Sequence, residues 1–146
     1  MLSFRPAVNL QIVNLLILPR ATPRRRLRLY PTLTRLVLEQ HAKYQPDALL
    51  IEDHGSGTAL IADLKQRHGI DAIPITPTGD KITRLSIVSP MFERGEIFLP
   101  QSAPWLMDFL DELLRFPQAR FDDQVDSVTQ YLNWHRNRVH PQFEAF

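Results

Sequence analysis

The sequence predicts an α/β fold in which helices flank a mixed sheet. Residues 48–51 form an apolar run of strand length, and IDAIPI at 70–75 forms a second one. An amphipathic stretch that ends at Gly69 lies between them. A strand, a helix and a strand joined by short connections are typical of a right-handed crossover between parallel strands. We therefore expect residues 48–51 to be an interior parallel strand.

The first 46 residues differ in charge from the rest of the chain. They carry eight basic residues and a single acid, Glu39, although the 146 residues together have a net charge of only +1. We interpret residues 1–30 as an irregular basic segment, with NLQIVNLLIL as a candidate strand, and residues 31–146 as one domain. A basic segment is often a solvated face, but it also suits a polyanion.

Five helices are expected in this domain, from the spacing of apolar residues and from capping signals. They run from Thr32 to the break at Gln45–Pro46, from a cap at Ser56 or Thr58 to Gly69, from Asp80 to Gly95, from Ser102 and Pro104 to Phe116–Pro117, and onward from Asp122. EIFLP is a further short strand.

The inward face of the second helix is Leu60, Ile61 and Leu64. The apolar stripe of the fourth helix is Trp105, Leu106, Phe109, Leu110, Leu113 and Leu114. The buried residues of the last helix are Val125, Val128, Leu132 and His135.

The composition excludes several classes of site. The chain has no cysteine, so disulfides, thiolate catalysis and thiolate metal ligands are all excluded, and a metal must be held by oxygen or imidazole. The five histidines show no metal-ligand spacing. The apolar run near the N-terminus has about half of the ~20 residues that a spanning helix needs. We therefore expect a cytoplasmic protein with no membrane partner.

Two acidic groups are candidates for chemistry. Glu52 and Asp53 follow the first strand, at the end of a parallel sheet where ligands bind, although acids also suit the positive end of the next helix. In FDDQVDSV, the residues Asp122, Asp123 and Asp126 lie within one helical turn, where like charges repel unless a cation compensates them. Helix capping explains one of these aspartates but does not require three. If the two groups converge, they form an all-oxygen site suited to Mg²⁺ or Mn²⁺ and to phosphodiester hydrolysis.

Four separated runs agree in order and spacing with one known family: LLIEDHGSGTALIADL, ITPTGDKITR, MFERGEIFLPQSAPWLMDFLDELLRFP and FDDQVDSVTQYL. Over residues 27–134 they resemble the C-terminal nuclease domain of the large terminase subunit of tailed phages. The resemblance implies a ribonuclease H-like fold and a metal-dependent endonuclease that cuts concatemeric phage DNA during packaging. It also implies double-stranded DNA, the portal and the small terminase subunit as partners.

The resemblance assigns roles to particular residues. Glu52 matches the acid after the central strand, and Asp122 and Asp123 match the acid on the late helix. Asp126, from the same acidic group, is a further candidate metal ligand. Lys81 and Arg84 resemble the Lys-x-x-Arg of the family and are candidate contacts to DNA phosphates, although exposed basic residues on a helix are more often simply solvated.

The sequence also departs from the family pattern. No aspartate precedes Asp47, and no phosphate-binding loop of the form G-x-x-x-x-G-K-[ST] occurs, so we expect a chain that lacks the first strand or strands and the ATPase domain. With acids from two segments instead of three, divalent ions are expected to bind at millimolar levels and the chain alone to cut DNA weakly or not at all. The alternative is a catalytically incomplete prophage remnant that keeps the fold and DNA or portal contacts. A resolvase or transposase fragment is a weaker third interpretation, because FLPQSAPWLMDFL is foreign to those families.

Overall fold

The computed structural model describes residues 8–9 and 30–139, which fall into two compact units. One unit contains residues 30–77, and the other contains residues 8–9 and 78–139. Apart from Val8–Asn9 and Tyr30, the basic segment expected at 1–30 lies outside the described residues. No helix within the described ranges is long and apolar enough to cross a membrane.

The unit of residues 30–77 is built from two helices and two parallel strands. Strands are numbered in chain order, and β1 (Val8–Asn9) belongs to the other unit. The elements of this unit are α1 (Tyr30–Tyr44), β2 (Leu50–Glu52), α2 (Ser56–His68) and β3 (Ile73–Ile75). Strand β2 pairs with β3 in parallel, with Ile51 opposite Pro74. The predicted strand, helix and parallel strand are confirmed. Within the described residues β2 has this single partner, so the interior position of the strand stays a prediction.

Apolar side chains from the two helices, from β2 and from the residues just before the two strands form the core of this unit. Its buried hydrophobic residues are Val37, Leu49, Ile51, Leu60, Leu64 and Ala72. Ile61, expected on the inward face of α2, is only partly buried. Helix α2 ends as predicted at Gly69, whose left-handed backbone lets the chain reverse.

The start of α2 differs from the prediction. We expected Ser56 or Thr58 to cap the helix, but the N-cap residue is Gly55 and it makes no side-chain cap. Gly55 has a φ of 56°, a conformation that L side chains rarely adopt. Thr58 instead donates its hydroxyl to Asp53. The Gly-Ser-Gly loop therefore provides the backbone conformation of the turn and does not provide a side-chain cap.

The second unit packs three helices around one core. Its elements are β1 (Val8–Asn9), α3 (Lys81–Glu93), β4 (Ile97–Phe98), α4 (Leu106–Arg115) and α5 (Asp123–Val139), and β1 pairs with β4 in parallel. The antiparallel strand that a mixed sheet would include is not among the described strands. The core residues are Val88, Met91, Phe109, Val125, Val128 and Leu132. The burial predicted for Val125, Val128 and Leu132 is thereby confirmed, and His135 is partly buried.

Helix α4 both confirms and corrects its predicted stripe. Phe109 is fully buried, and the ring of Trp105 meets it edge-on with centroids 6.0 Å apart. Leu114 was wrongly placed on the stripe, because its side chain is 83% exposed. Five residues after Phe109, Leu114 points to the opposite side of the helix. The buried residue on that turn is Glu112.

Candidate functional site

The first acidic group lies at the end of β2, in the unit of residues 30–77. Glu52 and Asp53 are both exposed. The backbone N–H of Asp53 donates to the carbonyl of Ile75 at 2.9 Å, which extends the pairing with β3, and its carboxylate accepts from Thr58 Oγ1 at 2.7 Å. A Cβ built on Gly57 would lie 2.0 Å from the carbonyl oxygen of Glu52. Helix α2 therefore starts directly against the backbone of Glu52.

The second acidic group lies at the start of α5, where α3 supplies it with a buried cation. Arg84 is 9% exposed and follows the buried spacing of α3, four residues before Val88 and seven before Met91. Its Nε and Nη2 both donate to Oδ1 of Asp126, and its Nη1 donates to the carbonyl of Gly79 at 2.7 Å. A guanidinium held at three nitrogens fixes the carboxylate that it contacts.

Lys81, one turn earlier on α3, supplies a second cation. Its Nζ lies 2.8 Å from Oδ1 of Asp122 and 3.8 Å from Oδ2 of Asp126. The hydrogen bond that Lys81 donates to Asp122 raises the pKa of Lys81, with the negative charges of Asp126, Asp122 and Asp123 acting in the same direction and burial opposing them. The ammonium therefore sits between two carboxylates, with 42% of the lysine side chain exposed.

A capping residue fixes the start of α3, the helix that carries Lys81 and Arg84. Asp80 is the N-cap of α3, as predicted, and its carboxylate accepts the backbone N–H of Thr83 at 2.8 Å. This hydrogen bond lowers the pKa of Asp80 below its ordinary value.

Comparison with known proteins identifies the family of this arrangement. A family model described as a terminase RNaseH-like domain matches residues 24–134. The chain belongs to this family. The suspected relationship to the terminase nuclease domain is confirmed, and so is the ribonuclease H-like α/β fold class. Neither the curated proteins nor the solved structures yield a match to the chain.

The acids of this terminase RNaseH-like domain are divided between its two units. Asp122 and Asp126 are brought together at the start of α5, and Asp123, the first residue of that helix, is exposed. Glu52 belongs to the other unit, so a shared site with the α5 aspartates stays a prediction. Among residues 8–9 and 30–139, no three His, Asp or Glu side chains gather closely enough to form a metal-binding group.

The chemistry of the α5 carboxylates fits a hard cation. Asp122 and Asp126 both present carboxylate oxygens to the ammonium of Lys81. Carboxylate oxygens without thiolates are the ligands that Mg²⁺ and Mn²⁺ prefer. The chemistry of the two acids therefore suits a divalent ion, provided that the ammonium of Lys81 moves away from them.

Lys81 and Arg84 differ in their freedom to contact DNA. The guanidinium of Arg84 is buried and committed to Asp126 and Gly79, whereas the ammonium of Lys81 is partly exposed on a flexible stem. Contact with a DNA phosphate stays a prediction for both residues, and the geometry leaves more room for it at Lys81.

Glu112 is the part of this arrangement that sequence reasoning missed. Its buried carboxylate accepts the backbone N–H of Gln124 at 2.7 Å and that of Val125 at 3.1 Å. A glutamate from α4 therefore caps α5 and fixes the turn that carries the aspartates. The signal was present in the sequence, because Glu112 falls three residues after Phe109, on the buried side of α4.

Proposed function

We propose that this terminase RNaseH-like domain is a metal-dependent DNA endonuclease, which cuts concatemeric viral DNA during packaging in a tailed phage. The observation that carries the proposal is the pair of carboxylates at the start of α5, Asp122 and Asp126, which both lie close to the ammonium of Lys81 in a member of this family. The expected substrate is double-stranded DNA, and the expected partners are the portal and the small terminase subunit.

In this proposal each acid has a defined role. Asp122 and Asp126 would hold Mg²⁺ or Mn²⁺, with Asp123 beside them, and Glu52 is a further predicted ligand. When bound, such an ion would supply activation of water and stabilisation of the leaving oxygen of a phosphodiester. Arg84 keeps the carboxylate of Asp126 in one orientation, and Glu112 keeps the first turn of α5 in place. Lys81 is a candidate contact to a DNA phosphate once its ammonium leaves Asp122.

A plasmid nicking assay tests the proposal. Supercoiled plasmid is incubated with the purified chain and millimolar Mn²⁺, and the nicked and linear forms are measured over time. We expect slow, Mn²⁺-dependent nicking that Glu52→Gln and Asp122→Asn each abolish. Asp111→Asn is the matched control, because Asp111 is exposed and pairs only with Arg115 four residues later on α4. Nicking that survives both substitutions would contradict the proposal.

A second candidate function is DNA binding without cleavage. The ion pairs favour it, because Lys81 and Arg84 already compensate Asp122 and Asp126 without any metal. In that case the plasmid stays intact in Mn²⁺, while a gel-shift assay detects DNA binding that weakens with added salt. Binding without nicking would therefore replace the first candidate by the second.

A further inference from the structure

We propose that Lys81 acts as a tethered cation that a divalent ion must displace before it can bind Asp122 and Asp126. This inference rests on the proposed metal-binding role of these two aspartates. Lys81 is then a positioning residue, which acts on the reaction through the carboxylates of Asp122 and Asp126.

The first argument is geometric. The Nζ of Lys81 lies 2.8 Å from Asp122 Oδ1 and 3.8 Å from Asp126 Oδ2, so one ammonium is close to oxygens of both acids. Asp122 immediately precedes α5, and Asp126 lies in the first turn of that helix. An ammonium and a divalent ion cannot occupy the same position.

The second argument is the repulsion between positive charges. Lys81 contacts Asp122 and Arg84 contacts Asp126, so each of these two carboxylates already has one cation. A divalent ion bound beside the ammonium would add two positive charges to carboxylates that are already compensated. With the ammonium withdrawn, its repulsion of the ion is removed. The two acids therefore accept the ion most readily in exchange for Lys81.

The third argument is that the two cations are held differently. The side chain of Arg84 is 10% exposed and donates to Gly79 as well as to Asp126, so it stays with the cluster. The side chain of Lys81 is 42% exposed, and its four-carbon stem can turn the ammonium into water at low cost. The exchangeable cation is therefore Lys81.

The test is a measurement of Mn²⁺ affinity, with free Mn²⁺ followed by electron paramagnetic resonance. In the full chain, Lys81→Met should bind Mn²⁺ about tenfold more tightly than the original protein, because methionine keeps the apolar stem and removes the charge. Lys81→Arg, which keeps the charge, should show no gain. Lys65→Met is the matched control, since Lys65 forms an exposed ion pair with Asp71.

The double variant Lys81→Met with Asp122→Asn should lose the gain, which assigns the tighter binding to this acid pair. Circular dichroism of each variant reports whether it is folded, and Lys81→Gln is the second variant if Lys81→Met is not. Mn²⁺ affinity that is unchanged, weaker or undetectable in the folded Lys81 variant overturns the inference, since a purely structural lysine would have that effect.

The plasmid assay separates this inference from the proposed function. Tighter Mn²⁺ binding by Lys81→Met without nicking by any variant supports the tethered cation and contradicts the endonuclease. Mn²⁺-dependent nicking that Asp122→Asn abolishes, with Mn²⁺ affinity unchanged in Lys81→Met, supports the endonuclease and contradicts the tethered cation.

Discussion

The two acidic groups of this terminase RNaseH-like domain are held in different ways. At the end of β2, Glu52 and Asp53 are exposed, and Asp53 accepts a hydrogen bond from the neutral hydroxyl of Thr58. At the start of α5, Asp126 pairs with a buried arginine and Asp122 with a partly exposed lysine. The first group is placed by the backbone of a strand and a glycine loop, whereas the second is placed by ion pairs.

The difference teaches that the same residue type carries different energetic weight in the two regions. An exposed carboxylate keeps its water and can change partners at little cost. A carboxylate beside a buried guanidinium has lost water, so its stability depends on that one partner. Three experiments sharpen or break this comparison, in order of decreasing expected effect on the free energy of unfolding.

The largest effect is expected from Arg84→Met. Methionine fills part of the space but leaves Asp126, whose side chain is 14% exposed, without its guanidinium. Removing one partner of a buried ion pair typically costs about 3–5 kcal/mol of the free energy of unfolding. Both tryptophans of the chain, Trp105 and Trp134, lie in the same unit as Arg84, so urea denaturation followed by tryptophan fluorescence reports this loss.

Arg115→Met is the control for Arg84→Met, and it lies in the same unit as the tryptophans. Arg115 pairs with Asp111 on α4, and the two side chains are 71% and 60% exposed. An exposed pair four residues apart on a helix contributes only about 0.3–0.5 kcal/mol. If both substitutions cost the same small amount, the α5 acids do not depend on a buried partner and the comparison fails.

The sequence predicted the elements better than the pairing of charges. Helical spacing located α1, α4 and α5, and the capping residue Asp80 located the start of α3. The spacing of Asp122, Asp123 and Asp126 predicted a compensating cation, and two cations pair with Asp122 and Asp126. That the cations are Lys81 and Arg84, about forty residues earlier in the chain, depends on how α3 packs against α5, which single-sequence spacing does not encode.

Two other features show which signals were misread. Arg84 and Glu112 both lie at buried helical spacing, but charged residues are seldom buried, so Arg84 was treated as exposed and Glu112 was not singled out. The Gly-Ser-Gly loop suggested a hydroxyl cap, whereas its glycines provide a left-handed turn and a close backbone approach. In both cases the local pattern was visible, and its meaning depended on a partner elsewhere in the fold.

An intermediate effect is expected from Gly57→Ala, which tests the backbone placement of Glu52. The new Cβ would lie 2.0 Å from the carbonyl oxygen of Glu52, so the start of α2 must move away from β2. Overpacking of this kind costs about 1–3 kcal/mol. Because the tryptophans lie in the other unit, the loss is measured by hydrogen exchange of the α2 amides.

Ser56→Ala is the matched control for Gly57→Ala, because Ser56 is the adjacent exposed residue at the start of the same helix. Its effect should stay within about 0.5 kcal/mol, as for most surface substitutions. Equal amide exchange in the two variants would show that α2 does not need the close approach to Glu52.

The smallest effect is expected from Asp80→Ala, and it should depend on pH. Asp80 is a third kind of acid in this domain, exposed and used only to cap the helix that carries Lys81 and Arg84. The hydrogen bond from the Thr83 N–H lowers the pKa of Asp80 below its ordinary value of 3.8. A carboxyl whose pKa is lower in the folded than in the unfolded protein stabilises the fold above the unfolded pKa, and this contribution is lost as the pH falls through the folded pKa.

The stability difference between the original chain and Asp80→Ala should therefore be fully present at about pH 7 and shrink below about pH 4. Asp80→Asn, which keeps an accepting oxygen but does not titrate, should lose this contrast. Urea denaturation at the two pH values measures it, and a difference for Asp80→Ala that does not change with pH would show that the cap does not act through the ionised carboxylate.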